Sequence, residues 1–236
     1  MKSFVLYQFK SYIRSNLFIP PITLYFIWVT ILYAYGSNDI LASYIQSAVV
    51  LFFVATWMTM NIFRLEETAE AHILLVHLKQ KEHYLYGKWL VCLLMLLPLV
   101  LFAHFSPIVT KSFAQSLTSA DHLLSLYSHI GLGGLGILLG SFFTATKINS
   151  SKYIWLMTAL VAISALAYSK IFEVLPSGIA WILWVLPPIR FFYEPLQEAS
   201  ATGLLTGFLA SFSLGVCYLA IATAVTLKLF MRNERL

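Results

Sequence analysis

Apolar residues in this chain fall in long runs separated by short polar stretches, with little of the alternation or narrow striping of a soluble fold. Six runs stand out: Ile19 to Tyr35, Tyr44 to Phe63, Trp89 to Val109, Leu123 to Thr146, Tyr153 to Ser169 and Gly203 to Phe230. Each approaches the length of about 20 residues that a helix needs to cross a bilayer. Pro20 and Pro21 suit the first turn of the first helix, and Pro98 is expected to kink the third. A further apolar stretch, Ile179 to Leu186, is bracketed by Pro176, Gly178, Pro187 and Pro188. Its uninterrupted helix could reach only about ten residues, too short to span, so residues 173–198 are read as a re-entrant or interfacial segment. Ahead of the first run, Val5, Phe9, Tyr12 and Ile13 share one helical face, and Ser3, Lys10, Ser11 and Arg14 another. That pattern predicts an amphipathic helix within residues 1–18, lying in the membrane interface. The expected fold is an all-α integral membrane protein of six transmembrane helices, forming one domain over residues 1–236.

Composition agrees. Hydrophobic residues make up 60% of the 236 and charged residues 11%, against about 25% charged in a soluble domain. Cys92 and Cys217 both lie in apolar runs and read as small packing residues, not as a disulfide framework. The net charge of +5 matters through its distribution. With six spans and both ends on one side, 12 of the 15 lysines and arginines share that side, and only Lys111, Lys170 and Arg190 fall opposite. The positive-inside rule then places both termini in the cytoplasm of a multi-pass cell-membrane protein. A seventh span through Ile179 would put Lys228, Arg232 and Arg235 outside, so the six-span reading is preferred. Lys10 and Arg14 before an apolar run, with Ala34-Tyr35-Gly36, could also be read as a cleaved signal, but the patterning of residues 1–18 favours the interfacial helix. No feature resembles a nucleic-acid-binding module.

The most informative polar stretch is the loop of residues 64–88. It is helix-compatible from Glu66 to Lys81, with Glu66, Glu67 and Glu70 early and Lys79 and Lys81 late, as the helix dipole favours. Ile73, Leu74, Leu75 and Leu78 give it an apolar stripe that the loop alone cannot bury. Two readings are open: a helix packed on the membrane or on its own span ends, or a docking helix for a cytoplasmic partner.

The order Glu66-Glu67-Thr68, then Leu74-Leu75, then a basic turn, then Gly87-Lys88 opening a span resembles the loop of ABC type-2 exporter permeases. Many members carry a Glu-x-Gly-Thr turn and a proline there, where this chain has Glu66-Glu67-Thr68 and Val76-His77-Leu78-Lys79. The wider layout is similar too: an amphipathic N-terminal helix, six spans and a short re-entrant hairpin before the last. The resemblance implies a permease subunit of an ATP-driven exporter. It further implies that Glu66, Glu67, Glu70, His72, Leu74, Leu75 and Lys79 dock a cytoplasmic ATP-binding subunit. A second permease copy or paralogue would complete the path. No Gly-x-x-x-x-Gly-Lys-Ser/Thr loop occurs, so ATP and Mg are expected on the partner, with no cofactor in this chain.

Gly131-x-Gly133-x-x-Gly136 matches a dinucleotide fingerprint, but inside an apolar span it reads as close helix packing, with Gly136 and Gly140 as a Gly-x-x-x-Gly pair. Gly203, Gly207, Ser211 and Gly215 repeat the device along the last span. His72, His77 and His83 share one loop without His-Glu-x-x-His spacing, and no metal site is assigned. His104 and His129 lie within or near spans and are candidates for the substrate path. Ser128 adjoins His129 but points elsewhere on a helix, and no carboxylate pair lies within a span. The expected function is export of an amphiphilic cargo such as a peptide, antibiotic or lipid-like molecule. An ion-coupled secondary transporter or an intramembrane enzyme is the alternative.

Overall fold

The computed structural model describes residues 1–34, 39–78, 80–113, 115–145, 151–176, 178–202 and 207–232. Within them the chain is helical, without a β-strand. The first helix, α1 (Lys2–Arg14), turns into α2 (Ile19–Tyr33) through Asn16, whose φ of 59° is a left-handed conformation that asparagine tolerates. The two helices meet at 75°. Asn61 fixes this corner by donating from Nδ2 to the Leu17 carbonyl at 3.1 Å. α3 (Ile40–Phe63) starts at Asp39, whose carboxylate accepts from the Ala42 amide at 2.8 Å. The short α4 (Thr68–His77) and the long α5 (Lys81–Val109) follow, and α5 runs uninterrupted through Pro98 and Pro107. α6 (Ser119–Ala145), α7 (Ser151–Leu166), α8 (Tyr168–Val174), α9 (Arg190–Thr202) and α10 (Phe208–Arg232) complete the chain.

Four of these helices, α3, α5, α6 and α10, are each long and apolar enough to cross a membrane. Two further candidate spans are bent pairs, α1 with α2 and Tyr153–Leu166 with Tyr168–Val174, each bent by 75°. The fold is therefore that of a multi-pass membrane protein with four to six candidate spans. The expected first and fifth spans are the bent ones. α2 has 15 residues, and α7 stops at Leu166 because Ala167 leaves the helical backbone at ψ 7°. The stretch from Ile179 forms a six-residue 3-10 turn, Ala180–Val185, with Trp181 and Trp184 exposed. The amphipathic α9 follows it.

α3 and α6 form the most extensive helix pair, and glycine is the reason. A methyl group built on Gly136 would stand 2.5 Å from the Phe52 carbonyl oxygen, and one on Gly140 2.7 Å from that of Thr56. Backbone thus rides on backbone, the geometry that small residues permit where lipid offers no hydrophobic drive between helices. Other α6 glycines receive other partners: Phe192 of α9 fills the space over Gly131, and Leu96 of α5 that over Gly133. On the last span Gly207 sits against Glu198, Gly215 against Phe192, and Ser211 is half-buried, while Gly203 lies outside the described residues. Two thirds of the apolar window of α6 is buried (67%) against 6% for α10, so α6 is the hub and α10 the periphery.

Enlarging Gly136 to valine is expected to cost about 1–3 kcal/mol by overpacking. Gly134, whose added methyl would meet only Leu219 at 4.0 Å, tolerates alanine. Thermal unfolding of the detergent-solubilised variants tests the contrast; equal melting temperatures would contradict the close α3–α6 contact.

Candidate functional site

Two polar constellations interrupt the apolar bundle, one at each end of α5. The first forms where α3 ends and α5 begins. Lys88 is fully buried, and its Nζ pairs with the Glu66 carboxylate, whose side chain is 2% exposed. The same ammonium donates to the Ile62 carbonyl at 2.9 Å, satisfying an end carbonyl of α3. It also lies over the rings of Tyr84 at 5.0 Å and Phe63 at 5.4 Å. Tyr84 donates its hydroxyl to Glu66 Oε2 at 3.1 Å, and Gln8 of α1 donates its amide to Glu66 Oε1. One carboxylate thus ties together α1, the α3–α4 connection and α5.

Packing reinforces the tie. Phe4 covers Gly87 so closely that an added methyl would stand 2.5 Å from its ring, and Tyr84 stacks on Phe230 of α10 with centroids 6.1 Å apart. Beside it, Tyr7 donates to Glu70, linking α1 to α4. That bond holds the Tyr7 hydroxyl above its ordinary pKa range.

α4 itself is shorter than the expected helix from Glu66 to Lys81. It ends at His77, where a tight turn with Gln80 N donating to Leu78 O at 2.7 Å intervenes before α5 restarts at Lys81. His77 Nδ1 bonds the Ile73 carbonyl at 2.8 Å in that last turn. The apolar stripe divides between two faces: Leu74, Leu75 and Leu78 pack on the chain's own core with Ala71, while Ile73 (59% exposed) and Val76 (78%) point outward. Of the residues expected to dock a partner, Glu67 and His72 lie on the open surface. Glu66, Glu70, Leu74 and Leu75 turn inward to make the contacts just described, and Lys79 lies outside the described residues. Ile73 and Val76 are the outward apolar residues of α4; their i, i+3 spacing could have separated them from the stripe.

The second constellation lies toward the other end of α5, among α2, α3, α5 and α6. His104 is 3% exposed; its Nδ1 is 3.0 Å from Ser125 Oγ and its Nε2 3.1 Å from Nδ1 of half-buried His122. His129 is fully buried, with Nδ1 2.7 Å from the Ser125 carbonyl and Nε2 2.9 Å from Ser47 Oγ of α3. Tyr44 stands between the two rings, its centroid 5.8 Å from His104 and 5.9 Å from His129. Its hydroxyl donates to the His104 carbonyl at 3.1 Å. The sequence singled out His104 and His129 but not their partners His122, Ser125, Ser47 and Tyr44. The spacing of His122, Ser125 and His129, three and four apart on one helical face, carried that signal. Ser128 and His129 are not paired: the Ser128 hydroxyl is buried without a partner. Among the described residues no group of three or more His, Cys, Asp or Glu could hold a metal.

Elsewhere one groove of about 380 Å³ is lined largely by polar residues, Thr30, Ser106, Thr110, Lys111 and Ser112 among them, and the others are apolar. One of about 450 Å³ lies between α6, the 3-10 turn and α10, lined by residues such as Leu135, Phe142, Val185, Tyr218 and Val225. Comparison with known proteins returns no matching family, curated protein or solved structure.

Removing one partner of the Glu66–Lys88 pair leaves a buried unpaired charge. Glu66→Leu and Lys88→Met are each expected to destabilise by about 3–5 kcal/mol, with the double variant Glu66→Leu/Lys88→Met recovering a large part. Tyr7→Phe, at an exposed bond, should cost about 1 kcal/mol or less. A double-mutant cycle on thermal unfolding measures the coupling; additive losses would show that the pair does not act as a unit.

Proposed function

We propose that this chain is the transmembrane permease subunit of an ATP-driven exporter, and α4 is the observation that supports the reading best. A ten-residue helix stands between two candidate spans, its inner face moored by Leu74, Leu75 and Leu78 and its outer face offering His72, Ile73 and Val76. A soluble partner pressing on that outer face would push on a rigid body, because Glu66 and Glu70 tie the same segment to α5 and α1. In this proposal α4 is the coupling helix of a cytoplasmic ATP-binding subunit, which carries ATP and Mg. ATP binding there changes the bundle only through contacts that differ between its two states.

The uneven lysine and arginine count accords with both termini and α4 in the cytoplasm, with six spans, and with residues 173–198 as the re-entrant segment on the outer side of a cell membrane. The poorly buried α10 suits a position facing lipid or a second permease copy or paralogue. Apolar grooves such as the one beside α10 fit an amphiphilic cargo, a peptide, antibiotic or lipid-like molecule, better than a sugar or an ion. In this reading the chain is a transporter subunit and performs no chemistry of its own.

The test is mild-detergent purification of the tagged protein from its native host, with mass spectrometry of what accompanies it. A stoichiometric ATPase is expected, and Ile73→Asp/Val76→Asp should release it while the melting temperature stays unchanged. Purification with no ATPase, under conditions that preserve a known exporter, would overturn the reading.

A further inference from the structure

Hydrogen positions around His129 are fixed by the acceptors it meets. The Ser125 carbonyl can only accept, so His129 Nδ1 carries a hydrogen in every state. Nε2 faces Ser47 Oγ at 2.9 Å, and that same oxygen lies 3.1 Å from the Tyr44 carbonyl. The serine owns one hydrogen and has two acceptors for it. With a neutral ring, Ser47 donates to His129 Nε2. With a protonated ring, Nε2–H donates to Ser47 Oγ, and the serine hydrogen turns to the Tyr44 carbonyl. One hydroxyl rotation accommodates both states without moving a heavy atom. A merely structural histidine crosslink needs only the first arrangement.

His104 is built alike. Its two ring nitrogens meet Ser125 Oγ and His122 Nδ1, either of which can accept when the ring carries two hydrogens. His122 in turn is half-buried in the first turn of α6, at the end of the bundle opposite the Glu66–Lys88 pair. Tyr44, stacked on His104 and edge-on to His129, adds an aromatic neighbour to both rings. The other titratable groups at the cluster are tyrosines of α2: Tyr25, whose hydroxyl donates to the Ser47 carbonyl at 3.4 Å, and Tyr33. Asp121, next to His122, is held by the Thr118 amide and hydroxyl at 2.8 Å each.

We propose that His104 and His129 form a proton-binding centre inside the bundle, entered through His122. The ligand is a proton; it adds to a ring nitrogen lone pair, and no bond to carbon and no electron transfer is involved. The centre goes beyond ATP-driven export and does not depend on it, because it sits on α3, α5 and α6 and uses no residue of α4.

The experiment is nitrogen NMR of the full chain, labelled at histidine and held in lipid nanodiscs, titrated from about pH 7 to about pH 4 around the ordinary imidazole range. The expected result is a buried imidazole that gains a second ring N–H on acidification and is missing from the spectrum of His129→Asn. Ser47→Ala, which leaves a helix-compatible residue, removes the acceptor for that hydrogen and should lower the proton-binding constant about tenfold. His122→Gln should slow proton uptake without changing its extent. A buried histidine that keeps a single N–H through the whole range in the folded wild type would overturn the proposal. So would a Ser47→Ala protein that binds its proton as tightly as wild type, and an unchanged uptake rate in His122→Gln would remove His122 as the entrance.

Discussion

The close approach of α3 to α6 is the constraint on which the rest of the bundle depends. In a bilayer, water does not press helices together, so the gain must come from contact between surfaces that fit. α6 meets this by giving each neighbour its own glycine: Phe192 of α9 over Gly131, Leu96 of α5 over Gly133, and the α3 backbone over Gly136 and Gly140. Because the glycines point in different directions, one helix seats three others at short range. The same approach carries Ser47 of α3 to within 2.9 Å of His129, so the buried polar cluster is a consequence of the apolar packing around it. A wider helix separation would leave the ring nitrogen without its partner in a dry interior, at a cost of about 1–3 kcal/mol, while Ser47 would keep the Tyr44 carbonyl of its own helix.

The Glu66–Lys88 pair plays a different part. Two charges withdrawn from water gain little net stability over apolar residues of similar shape. Their effect here is to restrict geometry. Glu66, in the α3–α4 connection, accepts from Gln8 of α1 and from Tyr84 and Lys88 of α5, segments that could otherwise slide past one another on greasy surfaces. With Phe4 pressed on Gly87, the N-terminal helix becomes part of the bundle end. α1 accordingly has two apolar faces, one on the core through Phe4, Val5 and Tyr12, and one outward through Leu6 and Ile13.

The helical, membrane-spanning character was legible because it rests on runs of residues whose only common property is hydropathy. The start of α2 with Pro20 and Pro21 in its first turn was legible for the same local reason, whereas the expected apolar face of α1 is divided, with Val5 and Tyr12 buried and Ile13 exposed. What escaped was whatever depends on contacts distant in sequence. Glu66 looks like a surface acid until Lys88, 22 residues on, is placed beside it; Leu74 and Leu75 look like a docking face until the core of α5 appears beneath them. The bend at Ala167 shortens the expected fifth span although nothing in Ala167-Tyr168 breaks a helix by propensity. His104 and His129 drew attention as rare polar residues in apolar runs, but their partners Ser47 and Ser125 are residues that any span can contain.

The two polar constellations share α5. Lys88 and His104 lie 16 residues apart on it, a rise of about 24 Å along one continuous helix. A rigid helix transmits a tilt from one end to the other undiminished, and a helix that can bend transmits it only in part. Pro98 is the one proline between these two residues, and its missing N–H removes a helical hydrogen bond at that level. α6 supplies no alternative lever, because its glycines fix it to three neighbours along its length. Coupling between the ends would require two arrangements of some element that both ends bias. In this fold α5 carries residues of both constellations, and Pro98 lies between them.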